Sequence, residues 1–453
     1  MRIMRYWRIN LIFILIILFG AAIIGRLFYI QIINHNFYLA LAQGQQKDFL
    51  LLKGNRGDVF FSGGEILATN IEETFRRYPQ ESMASQVIGF LGGEGVGQYG
   101  IEGYYDKTLQ DSDIFLTLDY NIQFMAEKLL GEAGKDLGIE AGQIIVTEPA
   151  TGRILALADF PSYNPNSYYK VEDFKIFQNS AIQKIFEPGS IFKPITMAVA
   201  LDQGKVNPQT TFFDSGQIKI GKDIISNYDG RFFGEQTMTQ VLEKSINTGA
   251  VFAEEQIGHA VFLDYLSRFG FFEPTGIDLQ GEISSENKEL KKGYEVNFAT
   301  ASFGQGIEVT PIQLVRAFCA IANGGKLIKP YTSEKELGSF SPDQVISSKT
   351  ASQLTAMLVS VVEQGPYTKR AKIPGYYIAG KTGTAQVPEA GVYSTEKTIQ
   401  SFVGFAPAFN PRFLILVKLD NPKTKTAEYS AVPMFQELAK YIIDYWQIPP
   451  DYE

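Results

Sequence analysis

Residues 9–25 form an almost unbroken apolar run bracketed by Arg8 and Arg26, and apolar positions resume at Leu27, Phe28, Tyr29 and Ile30. As a helix the run spans roughly 26 Å at 1.5 Å per residue, enough to cross a bilayer. The pattern predicts that the helix continues to about Ile33, with Arg26 snorkelling towards a headgroup. Arg2, Arg5 and Arg8 precede it with no acidic residue among them, which predicts a cytoplasmic N-terminus and an extracytoplasmic remainder. Ala40-Leu41-Ala42 has the form of a small-residue processing site. A charge and a long interval separate it from the apolar run, so the segment reads as an uncleaved anchor.

The pattern then loosens. Residues 34–110 are rich in glycine and polar turns, with no long helical periodicity before residues 121–130, and read as a small, mostly extended or looped unit next to the membrane. From about residue 111 strand and helix signals alternate. Residues 143–147 and 153–158 are short apolar runs joined by Pro149-Ala150-Thr151-Gly152, which predicts a hairpin. Residues 400–406 and 413–419 repeat this around Pro407-Ala408-Phe409-Asn410-Pro411. A last amphipathic helix begins near Pro433, with Leu438, Tyr441, Ile442 and Tyr445 on one face. The hairpins lie at the two ends of a helix-rich middle, so the expected fold is mixed α/β: one antiparallel sheet assembled from both ends and flanked by helices. The expected organisation is a cytoplasmic tail (1–8), an anchor helix (9–33), a reduced membrane-proximal unit (34–110) and a main domain (111–453).

Composition narrows the possibilities. The 453 residues are 45% hydrophobic and 20% charged, which suits a well-buried core rather than disorder. Lys and Arg total 41 against 49 Asp and Glu, a net charge of -8, which gives no basic field for phosphates and argues against nucleic acid as a partner. Cys319 cannot form an internal disulfide; with Leu314, Ala317, Phe318 and Ile321 it lies on an apolar stripe and reads as a small buried hydrophobe. Two histidines, His35 and His259, are too few for a histidine-rich metal site, and His259 reads as an ordinary helix residue. No cofactor or metal is expected. The segment Gly95-Val96-Gly97-Gln98-Tyr99-Gly100 fits a dinucleotide fingerprint, but no helical pattern follows it, so it reads as loop. Glu254-Glu255 and Lys291-Lys292 read as solvated surface.

The chemistry concentrates in three short boxes. In Glu187-Pro188-Gly189-Ser190-Ile191-Phe192-Lys193-Pro194 a Pro-Gly turn leads into an apolar stretch, residues 195–201. Pro194 is comfortable only in a first helical turn, so a helix is expected to start near Ser190, placing Lys193 over the same face as the serine hydroxyl. A lysine accepts a serine proton only if burial or a neighbouring cation lowers its pKa. Alone, this spacing equally describes a capping serine beside a solvated lysine. Ser245-Ile246-Asn247 follows a helix whose start, Thr237-Met238-Thr239-Gln240, has capping-box form. If extended, it points Ser245 and Asn247 the same way. Lys381-Thr382-Gly383-Thr384 adds a second cation and a glycine for close backbone approach, on a strand able to pair with an extended peptide.

The three boxes, in this order behind an anchor, resemble those of penicillin-binding proteins and class A β-lactamases. The chain as a whole resembles the class B, monofunctional penicillin-binding proteins. Further stretches carry the likeness: Thr117-Leu118-Asp119, Pro161-Ser162-Tyr163-Asn164-Pro165-Asn166, Gly304-Gln305-Gly306-Ile307-Glu308-Val309-Thr310-Pro311 and Ser401-Phe402-Val403-Gly404-Phe405-Ala406-Pro407. The resemblance implies a penicillin-binding transpeptidase fold, with a helical subdomain and a pedestal, and a D-Ala-D-Ala stem peptide as acyl donor. It implies Ser190 as nucleophile, Lys193 as base, Ser245 as proton relay, Asn247 as donor ligand and Lys381 as a source of positive potential. Thr382, Gly383 and Thr384 are then substrate-binding, with the N–H groups of Ser190 and Thr384 as the oxyanion hole. It also implies β-lactams as inhibitors and a membrane glycosyltransferase as a possible partner.

Some positions depart from the family pattern. After Arg56-Gly57-Asp58-Val59, Phe61-Ser62-Gly63 replaces an expected Asp-Arg-Asn, and only a few residues separate Ala68-Thr69-Asn70 from Arg76-Arg77-Tyr78-Pro79, where relatives insert a lobe. Asn179-Ser180-Ala181 lacks the usual arginine. The expected function is cross-linking of cell-wall peptide, division-type rather than elongation-type. The rivals are a D,D-carboxypeptidase or β-lactamase of the same fold and, from another class, a non-catalytic membrane scaffold or β-lactam sensor.

Overall fold

The computed structural model describes residues 3–34, 38, 56–71, 75–389 and 392–452. His35 and the Ala40-Leu41-Ala42 site lie outside the described residues. The apolar run forms a helix, Ile3–Phe28, followed by a π-helical turn, Tyr29–Ile33, and the span Asn10–Ile33 is long and apolar enough to cross a membrane. The Arg26 guanidinium lies 5.4 Å from the Tyr29 ring centre.

Beyond it the chain builds a small sheet from Phe75–Arg77, Ile66–Ile71, Val59–Phe60 and, from further along, Ile114–Phe115, which runs parallel to Val59–Phe60. A buried carboxylate ties this unit together: Glu102 accepts from Arg56 Nε (2.7 Å), Arg76 Nε (2.6 Å) and the Tyr78 hydroxyl (3.2 Å). The glycine fingerprint is corrected here, because a five-residue helix, Gly100–Tyr104, does follow it. Its brevity hid it from periodicity. The glycines serve chain packing: a Cβ on Gly97 would lie 1.8 Å from the Glu102 carbonyl oxygen.

The main sheet has five antiparallel strands in the order Ala379–Glu389, Val392–Ala406, Phe413–Asp420, Ala141–Thr147, Ile154–Phe160. Both expected hairpins are present and they join through Phe413–Asp420 and Ala141–Thr147, as a sheet closed from both chain ends requires. Strand alternation sends side chains to two cores. Ile145, Leu157, Val403 and Leu416 face the helical subdomain, whereas Ile144, Ala156, Ile415 and Phe402 belong to the core that holds buried side chains of Tyr120–Asp136 and Ala431–Tyr445. In the last helix Leu438 and Ile442 are buried as expected, but Tyr445 is exposed, its hydroxyl accepting from Asn121 Nδ2 (3.1 Å) and donating to Asp119 (3.3 Å).

Helix Pro311–Ala322 is capped by a Thr310–Gln313 box and buries Cys319, as the stripe predicted. Lys291 and Lys292 are exposed, Lys292 paired to Glu289 at 2.6 Å. Glu254 corrects the solvated reading of its pair. It is 1% exposed and bonded to His259 Nδ1 at 2.8 Å, because neighbouring helix positions point about 100° apart and only Glu255 faces water.

Candidate active site

Ser190 sits in a single 3-10 turn, Gly189–Phe192, that runs straight into helix Lys193–Asp202 with Pro194 in its first turn. The α-helix proper thus starts at the lysine, three residues later than the serine. Gly189 adopts φ +60° and its N–H donates to the Gly304 carbonyl (2.8 Å), which fixes the turn against the neighbouring loop. Lys193, 1% exposed, donates from Nζ to Ser190 Oγ (3.0 Å), Ser245 O (2.6 Å) and Ser245 Oγ (3.1 Å). Burial, and then the charge of Lys381, hold its pKa well below the ordinary lysine value.

Lys381 is equally buried, on the edge strand of the main sheet, and donates to Ser245 Oγ (3.0 Å) and Thr382 O (3.1 Å). Burial lowers its pKa to about 7. Thr382 and Thr384 line the cleft, with Thr384 Oγ1 accepting from the Ala427 N–H at 3.4 Å. Gly383 is where the strand meets the Ser190 turn: a Cβ there would come within 2.6 Å of Ser401 Oγ and 2.9 Å of Ile191 Cγ2.

The second box corrects the extended reading. Ser245 closes helix Met238–Lys244 in the left-handed region (φ 58°), and Asn247 already opens helix Asn247–Ile257. A left-handed residue stops a helix and redirects the chain at once, so the box is a helix-to-helix corner. Ser245 turns to the two lysines, while Asn247 reaches the cleft and donates from Nδ2 to Ser226 O (2.9 Å). The capping box at Thr237 and Gln240 is formed as expected.

Ser190, Ser245, Asn247, Thr382 and Thr384 thus share one cleft of about 660 Å³, with the Nζ atoms of Lys193 and Lys381 beneath it. Sequence reasoning missed the opposite lip, where Arg231 Nη1 donates to the Tyr367 hydroxyl (2.6 Å) and Tyr228 and Glu428 also face the cleft. Single polar residues on loops, at no fixed spacing, give no signal.

A large core sheet made from both chain ends, with a serine–lysine pair beneath its edge strand, is the framework of the penicillin-binding transpeptidases. The family model for the penicillin binding protein transpeptidase domain matches residues 142–440. Stage V sporulation protein D of Bacillus subtilis is 34% identical over 78% of this chain, which spans 61% of that relative's length. A probable peptidoglycan D,D-transpeptidase, PbpC, of Pseudomonas aeruginosa is 30% identical over 91% of this chain and 78% of its own. Penicillin-binding protein 3 of Mycobacterium tuberculosis, solved in complex with aztreonam, superposes with a TM-score of 0.79 at 28% identity, covering 88% of this chain and 97% of that one. The chain belongs to the penicillin-binding transpeptidase family, in its class B branch, and its catalytic domain is of the serine acyltransferase class.

Proposed function

We propose that this chain is a peptidoglycan D,D-transpeptidase that cross-links stem peptides through an acyl-enzyme at Ser190. The observation that carries the reading is the 3.0 Å approach of a buried lysine amine to a half-buried serine hydroxyl at the floor of a cleft. Lys193, its pKa lowered by burial and by the charge of Lys381, takes the proton of Ser190 in its neutral form as Oγ attacks the carbonyl of the penultimate D-Ala. Thr382 and Thr384 bind the terminal carboxylate under the potential of Lys381, and Asn247 orients the donor. The N–H groups of Ser190 and Thr384 stabilise the oxyanion; losing one such donor costs about 2.7–4 kcal/mol in comparable sites. As the C–N bond breaks, the proton passes through Ser245 to the leaving D-Ala amine. An amine of a second stem peptide then attacks the ester, forming the cross-link and freeing Ser190.

The edge position of Ala379–Glu389 suits an extended donor peptide pairing as an added strand. The aztreonam complex of a similar protein supports β-lactams as inhibitors. The arginines before Asn10–Ile33 favour a single-pass anchor in a bacterial cytoplasmic membrane, with residues 34–110 as a short pedestal and residues 111–453 outside the cytoplasm. A membrane glycosyltransferase is the natural partner, supplying the glycan strands. Division-type septal synthesis is the favoured role. The name of the 34% identical relative favours a second reading, wall synthesis during sporulation.

The test is labelling of wild type and Ser190→Ala with a fluorescent penicillin, followed by mass analysis of the adduct. Stable stoichiometric labelling, abolished by the substitution, is expected. A label that survives moves the nucleophile elsewhere; rapid turnover makes the protein a β-lactamase; an unlabelled wild type makes it a scaffold. Release of D-Ala from a stem peptide without cross-linked product, even with acceptor amine present, identifies a carboxypeptidase.

A further inference from the structure

Asn247 opens a helix that cannot cap itself. The N-cap position of the eleven-residue helix Asn247–Ile257 is Ile246, whose side chain offers no acceptor to the free amides of the first turn. The acceptor arrives from elsewhere in the chain: Asn227 Oδ1 accepts from the N–H of Asn247 (2.9 Å) and of Thr248 (3.2 Å). Asn227 is itself held, its Nδ2 donating to Asp214 Oδ1 (2.9 Å), Asp214 Oδ2 (3.0 Å) and the Arg231 carbonyl (3.0 Å). Asp214 has no exposed surface and also accepts from the N–H of Gly216 (2.9 Å), the N–H of Phe233 (2.8 Å) and the Thr248 hydroxyl (2.6 Å).

One carboxylate therefore gathers three pieces of chain: the turn after Thr211–Asp214, the cleft lip at Phe233, and the first turn of the helix that presents Asn247. The arrangement also has a direction. Only one orientation of the Asn227 amide satisfies every partner, with nitrogen to the carboxylate and oxygen to the helix. A rotated amide would set two donors against two helical N–H groups.

We propose that Asp214 and Asn227 are positioning residues of the active site. Asn227 supplies from a distant loop the capping acceptor that Ile246 lacks, and Asp214 fixes the direction of its amide, so that Asn247 meets the donor peptide at a set height and angle. The inference rests on the proposed roles of Ser190 and Asn247. It adds that these roles depend on two buried groups that act through Asn247: Asp214, which lies outside the cleft lining, and Asn227, which borders it.

The experiment uses the full-length chain in detergent micelles, with rates of acylation by a fluorescent penicillin, thermal midpoints, and amide hydrogen exchange at residues 247–248. Asn227→Ala should speed exchange there and slow acylation about ten- to a hundredfold, the scale of a displaced positioning group. In an Asn247→Ala background it should cost no more than about twofold further, since the group it positions is gone. Asn227→Asp sets two carboxylates against each other, and adding Asp214→Asn restores a donor–acceptor pair, so the double variant should acylate faster than Asn227→Asp alone. A merely structural role would give independent, multiplying losses and no recovery in the swap. That result, or wild-type acylation by Asn227→Ala, overturns the inference while leaving the Ser190 reading intact. A wild type that takes no label overturns the Ser190 reading, and this one with it.

Discussion

Lys193 and Lys381 converge on one oxygen, their Nζ atoms lying 3.1 and 3.0 Å from Ser245 Oγ. A hydroxyl has two lone pairs, and both are occupied when both amines donate. Two ammonium groups sharing one acceptor in a buried site repel each other, so the pair prefers to hold one charge rather than two. The one-charge state is the one the proposed mechanism uses: a neutral Lys193 to accept the proton of Ser190 and a charged Lys381 to attract a carboxylate.

A pH profile follows from that state. Burial and the charge of Lys381 keep Lys193 well below the ordinary lysine value, which moves the acid limb, where its protonation stops acylation, below that value too. Lys381 loses its proton at about 7, and the hold on the donor carboxylate weakens above that. The expected kcat/KM for a stem-peptide donor is bell-shaped, its alkaline limb near 7, with the two limbs belonging to the coupled pair. The kcat profile should have its alkaline limb at higher pH, because a bound carboxylate favours charged Lys381. Steady-state rates across the range check this. A flat profile through neutrality would contradict it.

The same burial makes Lys381 a cost to stability. Its folded value of about 7 lies below the unfolded one, so the unfolded chain binds more protons between the two. The destabilisation is full below about 7 and fades as pH rises towards the ordinary lysine value. Lys381→Met should therefore raise the thermal midpoint at mildly acidic pH while abolishing turnover of carboxylate-bearing donors, and the gain should vanish in alkali. Thermal unfolding of both proteins at several pH values measures it.

Gly383 tests the fit between the edge strand and the Ser190 turn. A Cβ there meets Ser401 Oγ at 2.6 Å and Ile191 Cγ2 at 2.9 Å, and both neighbours are nearly fully buried with little room to yield. Gly383→Ala should cost about 1–3 kcal/mol in stability and slow acylation by shifting Ser190 against Thr384. Ser401→Gly removes one of the two clashes, and since Ser401 Oγ is buried without a hydrogen-bond partner among the described residues, the change forfeits no hydrogen bond there. The double variant should regain part of both losses in denaturant unfolding and in penicillin labelling.

These relationships were legible in the sequence to different depths. Both hairpins and their union announced themselves through turn residues between apolar runs, and Ser190, Lys193 and Lys381 through spacing that places them over one helix face and one strand. The Ser245–Asn247 corner was misread because a left-handed non-glycine residue has no signature: Ser245 at φ 58° looks like any serine in an extended segment. Glu254 was misread because a charged pair on a helix has one inward and one outward member, and charge does not say which. Asp214 and Asn227 were invisible. Their partners lie up to 34 positions away, and the hairpin folds that bring them together, Thr211–Asp214 with Gly234–Thr237 and Gln217–Ile220 with Asp223–Ser226, carry only short, weak patterns.

The small sheet around Glu102 offers a prediction of opposite sign to that of Lys381. Glu102 is fully buried, and burial alone would raise its pKa, but the guanidinium groups of Arg76 and Arg56 outweigh that and hold it below the ordinary carboxylate value. Arg56 also pairs with Asp106 (3.0 Å), and Arg76 Nη1 donates to Gly57 O (2.9 Å), so the carboxylate ties the segment before Val59–Phe60 to the strand Phe75–Arg77. A folded value below the unfolded one contributes stability that is present above the ordinary carboxylate pKa and lost as pH falls through the folded value. Glu102→Gln leaves Arg76 buried without the anion it pairs with and Arg56 with Asp106 alone, a loss of about 3–5 kcal/mol for a broken buried pair. At neutral pH the thermal midpoint should drop sharply, and the gap to wild type should close in acid as the native carboxylate is protonated. Labelling of Ser190 in the cold should persist, because none of the three side chains lines the cleft. Replacing Arg56, Arg76 and Glu102 together with apolar residues of similar volume should cost less than the single change, since no charge is then left buried and alone.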